Sequence, residues 1–548
     1  MNIKKFFSGR LKSDAAYDLI QKENCEYSPN SVQHLSLEQA LRDCLIGIKQ
    51  DDNLSLVFDR QAKISGWKQD ALLKSSVAIF GSSPASNYLA AGLSALGVGR
   101  IYLIPESAKA PSSQEFLSRL GSRSMPSGDG LEYWLNCRFQ KSPQCRVYLL
   151  RSASELFAFS IPDIVLDASH NLEAKLDALD FSASLSVPLL SVSFNGYSSL
   201  VSAVFPGGAS DFSGRGYSGI YYLKEADARN SNYFNGFNMA ACGVASGIVL
   251  DIVRKFLMPL SQDVFPELPF YYSLISGISY GESALKSAYE DFCGLEGISE
   301  KMVASQKLRC LLVGAGALGN FAALALCLSG ISVDIADFDS VELTNANRQI
   351  LISDRDSIAF GRNKAEVLSE RLRELGADCT FIRGIVSKGD APEGYALIDK
   401  TFVQKNEYGC ILGCVDNPLA RALLNEIAVH QRIPFFDSGT EPFSGSLRCY
   451  IPDMSPCLDC QVGIYELARI WEERTLQRDS CSLSEKEPSV VISNMLLGSA
   501  LGGELLRFLI LQESFLPLLY DSSNLHPLLF SGVTPAPSKS CSCTSKTD

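Results

Sequence analysis

CLLVGAGALGNFAALALCLSGISVDIADFDS, residues 310–340, reads as an apolar strand, a turn of small residues, a helix of about four turns and a second apolar strand. The turn sets Gly314, Gly316 and Gly319 in a GxGxxG spacing. Glycine suits these places because phosphates approach such a backbone closely and the helix packs tightly on its strand. Asp337 ends the second strand, where a carboxylate can accept hydrogen bonds from a ribose. Taken alone, this unit would also serve a dinucleotide-dependent dehydrogenase.

The same pattern occurs earlier, in residues 77–107, VAIFGSSPASNYLAAGLSALGVGRIYLIPES. Downstream, DIVLDASHNLEAKLDALDFSASLSVPLLSVSFNGYSSLVSAVFP (163–206) parallels CILGCVDNPLARALLNEIAVHQRIPFFDSGTEPFSGSLRCYIP (410–452). Each copy closes on a Gly/Ala-rich amphipathic helix, 239–256 and 495–508. Three motifs in one order, at a slowly drifting offset, predict an internal duplication of an α/β unit. The Pro- and Tyr-rich stretch 266–280 marks the boundary, so the domains are expected at 51–270 and 271–548, after an extension, 1–50, of unknown role. Uncharged stretches 75–99 and 310–333 are long enough to mimic membrane spans. Gly, Asn and Ser interrupt both, which favours strand, turn and buried helix and no membrane partner.

Composition narrows the function. Lys and Arg number 49 against 61 Asp and Glu, a net charge of -12, which disfavours a broad basic face for nucleic acid. Four scattered histidines do not make a histidine metal cluster or a histidine-centred hydrolase. Seventeen cysteines, and a start (MNIKKFFSGRLK) without the apolar core of a signal peptide, point to a reduced, cytoplasmic setting.

The second copy adds cationic chemistry to its glycine turn. DFDSVELTNANRQ places Asn345, Arg348 and Gln349 beyond the Asp337 strand, GRNKAEV supplies Lys364, and CILGCVDNPLAR puts Asp416 at another strand end. Arg and Lys converging on a nucleotide suit polyphosphate chemistry rather than hydride transfer, and Asp416 can hold the magnesium that bridges phosphates. The first copy lacks these groups: its turn keeps only Gly81, Pro105 stands where Asp337 would be, and His170 falls opposite Asp416.

In these motifs the second half resembles the ATP-dependent adenylating domain of ubiquitin-activating enzymes and of their bacterial relatives that activate sulfur carriers. The resemblance implies two Rossmann-like adenylation domains, inactive then active, forming a pseudo-dimer within one chain that can stay monomeric. It implies ATP and magnesium held by Gly314, Gly316, Gly319, Asp337, Asn345, Arg348, Gln349, Lys364 and Asp416. The spacing from Arg348 to Lys364 is longer than in the sulfur-carrier branch, as a loop insertion would make it. The substrate implied is the C-terminal glycine of a ubiquitin-like protein.

CLDC has the spacing of two zinc ligands, Cys457 and Cys460. The family often closes such a site with a second pair near its C-terminus; here that would be Cys541 and Cys543, in CxC rather than CxxC spacing. Cys481 lies in TLQRDSCSLSEKEPSVV, where the short-loop branch of the family carries its catalytic cysteine. Arg60 and Gln61 resemble the RQ segment whose arginine reaches into a partner's ATP site in related homodimers. The reading is therefore adenylation followed by a thioester on Cys481 and transfer to a conjugating enzyme. A sulfur-carrier adenylyltransferase and a non-catalytic scaffold are the alternatives. A fused inactive–active pair also resembles bacterial conjugation operons, some linked to phage defence, an analogy only.

Overall fold

The computed structural model describes residues 57–106, 116–121, 127–138, 145–170, 172–205, 238–293, 308–353, 356–357, 361–477, 487–513, 517–531, 541 and 543. All belong to one compact unit, Asp51–Asp548. Residues 1–50 and Cys481 lie outside the described residues.

Eight strands form the first sheet: β1 (Ser76–Phe80), β2 (Arg100–Ile104), β3 (Arg146–Leu149), β4 (Ile164–Asp167), β5 (Leu189–Phe194), β6 (Ser198–Val204), β7 (Phe270–Ser273) and β8 (Gly277–Tyr280). Their order is 3-2-1-4-5-6-7-8. The second sheet holds β9 (Arg309–Val313), β10 (Ser332–Asp337), β11 (Cys379–Ile385), β12 (Ala396–Leu397) and β13 (Cys410–Gly413). It continues with β14 (Phe435–Thr440), β15 (Ser444–Tyr450), β16 (Leu518–Asp521) and β17 (Leu528–Phe530), in the order 12-11-10-9-13-14-15-16-17. Without the two-residue edge strand β12 the two orders are the same, and each sheet passes from parallel to antiparallel pairing at the equivalent place, β5–β6 and β14–β15. The duplication expected from the sequence is therefore a duplication of topology.

Register makes the correspondence residue-specific. Ser76 lies opposite Arg100 and Arg309 opposite Ser332, so Pro105 stands in the place of Asp337. Val77 lies opposite Ile164 and Cys310 opposite Cys410, so His170 stands in the place of Asp416. One boundary shifts. The stretch expected to separate the halves at 270/271 forms the β7–β8 hairpin, paired with β6, so the first sheet runs on to Tyr280. Its consecutive aromatic residues Phe270, Tyr271 and Tyr272 are all buried on the sheet, which is why a Tyr-rich run became a strand pair rather than a linker.

The principal helices are α1 (Pro84–Leu96), α2 (Ser127–Arg138), α3 (Leu172–Leu185), α4 (Asn238–Leu257), α5 (Ala317–Cys327), α6 (Lys364–Glu374), α7 (Pro418–Gln431), α8 (Ile464–Gln477) and α9 (Val491–Leu511). Helices α1 and α5 each follow a glycine turn, and α4 and α9 are the Gly/Ala-rich helices of the two copies. These four pack together between the sheets, α4 on α9, α5 on α9 and α1 on α4. One continuous apolar core therefore draws on both halves, from Leu93 and Val249 to Ala322 and Leu501. Helix α9 is long and apolar enough to cross a membrane, but 83% of its apolar window is buried inside the protein.

Small residues set the helix spacing. A Cβ on Gly247 of α4 would lie 2.7 Å from the Leu496 Cβ and 3.0 Å from its Cα, and one on Gly498 of α9 2.5 Å from the Leu318 carbonyl oxygen. Gly247→Val should force the two helix backbones apart and cost about 1–3 kcal/mol or more, the usual range for overpacking. A lowered urea midpoint is expected, with Gly389→Ala, whose Cβ would meet only the Ser387 hydroxyl at 3.9 Å, as a neutral control. An unchanged midpoint for Gly247→Val would mean that the halves do not share a tight core.

Candidate active site

The glycine turn combines a demand of the fold with room for a ligand. Gly314 has φ +102°, and its Cβ would sit 2.4 Å from the Cys414 carbonyl oxygen. Gly81 in the first half has φ +100° and would meet the Ser169 nitrogen at 2.5 Å. This first glycine is thus required wherever the strand end crosses its neighbour, with or without a nucleotide. Gly319 would collide with the Gly314 carbonyl oxygen at 2.0 Å, so it sets how closely α5 meets β9. A Cβ on Gly316 would meet nothing within 4 Å, and this residue caps α5 without any side-chain hydrogen bond. The first-turn amides of α5 and its dipole thus face open space, an anion-binding arrangement. Its counterpart α1 is sealed: the Ser83 hydroxyl accepts from the Ser86 amide, the Ser86 hydroxyl accepts from the Ser83 amide, and Pro84 removes another donor.

Asp337 ends β10 behind this turn. Its carboxylate accepts from the amides of Ala315 (2.6 Å) and Asp339 (2.7 Å), tying the glycine turn to the strand end. Burial pushes the Asp337 carboxyl up to about 6, with Lys364 pulling the other way. Lys364 opens α6 and pairs with Asp339 at 2.7 Å. Asn363 aims it, capping α6 through the Ala365 and Glu366 amides and donating to the Asp337 carbonyl at 3.0 Å.

The segment after β10 turns through a short 3₁₀ helix, Leu343–Asn345, where the Asn345 side chain accepts from the Glu342 amide. Arg348 is buried; its Nη1 donates to the Thr344 carbonyl (2.6 Å) and the Asn347 side chain (2.9 Å). Burial first, and then the charge of Arg60, bring the Arg348 guanidinium down to about 10. Gln349 is buried too, and its side-chain oxygen has no hydrogen-bond partner among the described residues. Asp416, just past β13, is exposed, with one contact from the Asn417 side chain at 3.3 Å. Asn417 caps α7, and Arg421 of α7 donates to the Val415 carbonyl at 3.0 Å, holding the turn that presents Asp416.

Arg60 comes from the other half. It lies on the short helix Asp59–Ala62, half-buried, and donates to the Glu487 carbonyl at 3.0 Å. Burial lowers its pKa, while Glu342, Asp59, Glu487 and Asp416 raise it, so it shares one electrostatic environment with Arg348 and Asp416. Gln61 completes the link: it is buried, donates to the Leu96 carbonyl and accepts from the Asn347 side chain at 3.4 Å. Two part-desolvated guanidiniums near each other favour a polyanion between them. Cys481 lies in the undescribed stretch 478–486, but the chain resumes beside Arg60, where the Ser489 amide donates to the Arg60 carbonyl at 3.3 Å.

The sulfur atoms of Cys457, Cys460, Cys541 and Cys543 lie within 4.8 Å of one another, with Cys457–Cys541 at 3.4 Å and Cys460–Cys543 at 3.7 Å. Four thiolates about 2.3 Å from a tetrahedral zinc stand at comparable separations, so the cluster fits zinc despite its CxC spacing.

The ThiF family model matches residues 291–544, which include the glycine turn Gly314–Gly319, Asp337, Arg348, Lys364, Asp416 and the four clustered cysteines. Residues 291–544 form a ThiF-family domain. The chain is 30% identical over 172 residues to the NEDD8-activating enzyme E1 catalytic subunit of Arabidopsis thaliana, covering 29% of this chain and 35% of that protein. It is 32% identical over 156 residues to the sulfur carrier protein ThiS adenylyltransferase of Bacillus subtilis, covering 28% and 44%. It is 26% identical over 215 residues to ubiquitin-like modifier-activating enzyme 5 of Dictyostelium discoideum, covering 36% and 52%. The aligned part thus spans between 35% and 52% of these relatives. The ThiF domain carries the open helix N-terminus and the cationic cradle. The first half repeats its topology, supplies Arg60 and Gln61, and closes its own helix N-terminus with serines.

Two outcomes test this geometry. Purified protein should carry about one zinc per chain by elemental analysis, and stripping it should lower the melting temperature, because a closed site contributes folding free energy. A zinc-free preparation with an unchanged melt would exclude the metal. The raised Asp337 pKa predicts a pH signature as well. Its charge costs nothing below the free-carboxyl value of 3.8, and the cost grows as pH rises through about 6. Asp337→Asn should gain stability relative to the parent between pH 4 and pH 7, by at most about 3 kcal/mol. A difference that stays constant across that range, read by urea unfolding, would show that the carboxylate is not a buried charge.

Proposed function

We propose that the chain activates a ubiquitin-like protein by adenylating its C-terminal glycine and then takes the acyl group onto Cys481. In the first step a carboxylate oxygen of the glycine attacks the α-phosphorus of ATP; the new O–P bond forms as the bond to the β-phosphate oxygen breaks, and pyrophosphate leaves. The observation carrying this reading is that Arg60 of one half lies within electrostatic reach of both Arg348 and Asp416 of the other. These guanidiniums and Lys364 would offset phosphate charge as it shifts toward the leaving group, and a fixed charge of this kind is most effective in a water-poor site. Asp337 would orient the ribose, with Asn345 and Gln349 lining the same pocket. Asp416, exposed just past β13, offers hard oxygens suited to magnesium. Magnesium bound there would neutralise phosphate charge.

In the second step the Cys481 thiolate attacks the acyl carbon, the C–S bond forms, and AMP leaves with the former carboxylate oxygen. A conjugating enzyme's thiol is the proposed next acceptor. Similarity to a sulfur-carrier adenylyltransferase supports a second reading, in which a persulfide accepts the acyl group instead. The two differ in the acceptor and share the adenylation.

ATP–pyrophosphate exchange with the cognate carrier separates the steps. Cys481→Ala should keep exchange and lose the reductant-labile adduct, whereas Asp416→Ala should lose both. Arg60→Ala should slow exchange by about 100-fold, the scale of losing one preorganised charge. Parent-like exchange in Arg60→Ala would remove the first half from the chemistry, and a labile adduct persisting in Cys481→Ala would remove that cysteine.

A further inference from the structure

Helix α2 of the first half ends in Arg138, which is fully buried although arginine rarely is. Its guanidinium is directed at the second half. Nε donates to the Ile352 carbonyl (3.1 Å), and Nη2 donates to the carbonyls of Ala346 (2.7 Å) and Gln349 (3.0 Å). Ala346 and Ile352 flank Arg348 and Gln349 in the irregular segment that carries them, and the third carbonyl is Gln349's own.

Burying a guanidinium costs several kcal/mol unless its donors are satisfied, and a main-chain carbonyl buried without a donor is also costly. One planar fork serves both ends of this problem, because its Nε and Nη2 donors match a curved run of carbonyls. Lysine, with a single nitrogen on a flexible stem, cannot reproduce that geometry. Burial brings Arg138 down to about 10, so it stays charged at neutral pH. Two neighbouring contacts extend the seam: Arg371 lies over the Trp134 ring at 5.5 Å, and Arg119 donates to the Leu375 carbonyl at 3.1 Å. The first half therefore grips the main chain at 346–352 and again at Leu375, just past α6, which begins with Lys364.

We infer that Arg138 is a positioning residue: the degenerate half fixes the shape of the nucleotide-binding segment 346–352 and so sets the affinity of the other half for MgATP. This rests on the adenylation reading for its ligand, but the clamp itself is a matter of main-chain contacts. It gives the first half a second task that is independent of lending Arg60, because Arg138 acts through carbonyls and not through phosphate.

The test uses the full chain, isothermal titration with MgATP, and hydrogen exchange of the amides in 343–353. Arg138→Met should weaken MgATP at least tenfold and speed exchange in that segment. Arg138→Lys should fall between the two and serves as the informative variant if Arg138→Met does not fold. A purely structural role would lower the melting temperature and leave the affinity of the folded protein unchanged, which would overturn the inference. If the parent does not bind MgATP, the adenylation reading fails by itself. The exchange measurement still decides the clamp, and unaltered exchange in Arg138→Lys would refute it.

Discussion

The approach of α4 to α9 is the contact on which the rest of the molecule depends. Glycines at the crossing let two long helices meet nearly backbone to backbone, so the two sheets share one core rather than touching across a surface. Polar groups buried at its margin tie the register: Asp251 of α4 holds Arg254 and Lys255 and accepts from Ser522, and Tyr272 donates to the buried Glu504 of α9. Buried ions of this kind add little net stability, yet a shifted pairing would strand them. With the halves fixed to that degree, a residue of one can serve as a component of the other's site.

The two copies also differ at the start of the helix after the glycine turn while keeping one fold. Gly81 and Gly314 share their backbone conformation because both strand ends must pass a neighbouring strand. What differs is the next turn of helix. Serines satisfy the amides of α1 from within, whereas Gly316 leaves those of α5 to an external acceptor. A few side chains thus make the difference between an open and a self-contained helix end. Buried pairs have been rearranged in the same way. Lys175 holds Asp167 on β4, while Arg421, at the equivalent place on α7, faces Asp437 one strand over.

Much of this was legible in the sequence, because strand periodicity, glycine turns and capping residues act over a few positions. The duplication, the strand-end places of Asp337 and Asp416, and the contrast between Gly316 and Ser83 all follow from local spacing. The hairpin at 270–280 was not legible: its Pro and Tyr content suits a linker as well as a strand pair, and only its pairing with β6 distinguishes them. The four cysteines lay between these cases. CLDC has a ligand spacing of its own, but whether a CxC pair could complete it depended on whether Cys541 and Cys543 come to lie beside it.

By itself the sequence determined two α/β units, one with a GxGxxG turn and one keeping only its first glycine, since each of those properties is written in residues close together along the chain. Tertiary structure alone decided which main-chain groups of one unit the side chains of the other hold. Arg138 reads locally as the charged end of an ordinary helix, and its role appears only because folding brings it to the carbonyls of residues 346–352. Such a contact leaves no local signature: a carbonyl carries no side-chain identity, and the only trace of its partner is one arginine among many.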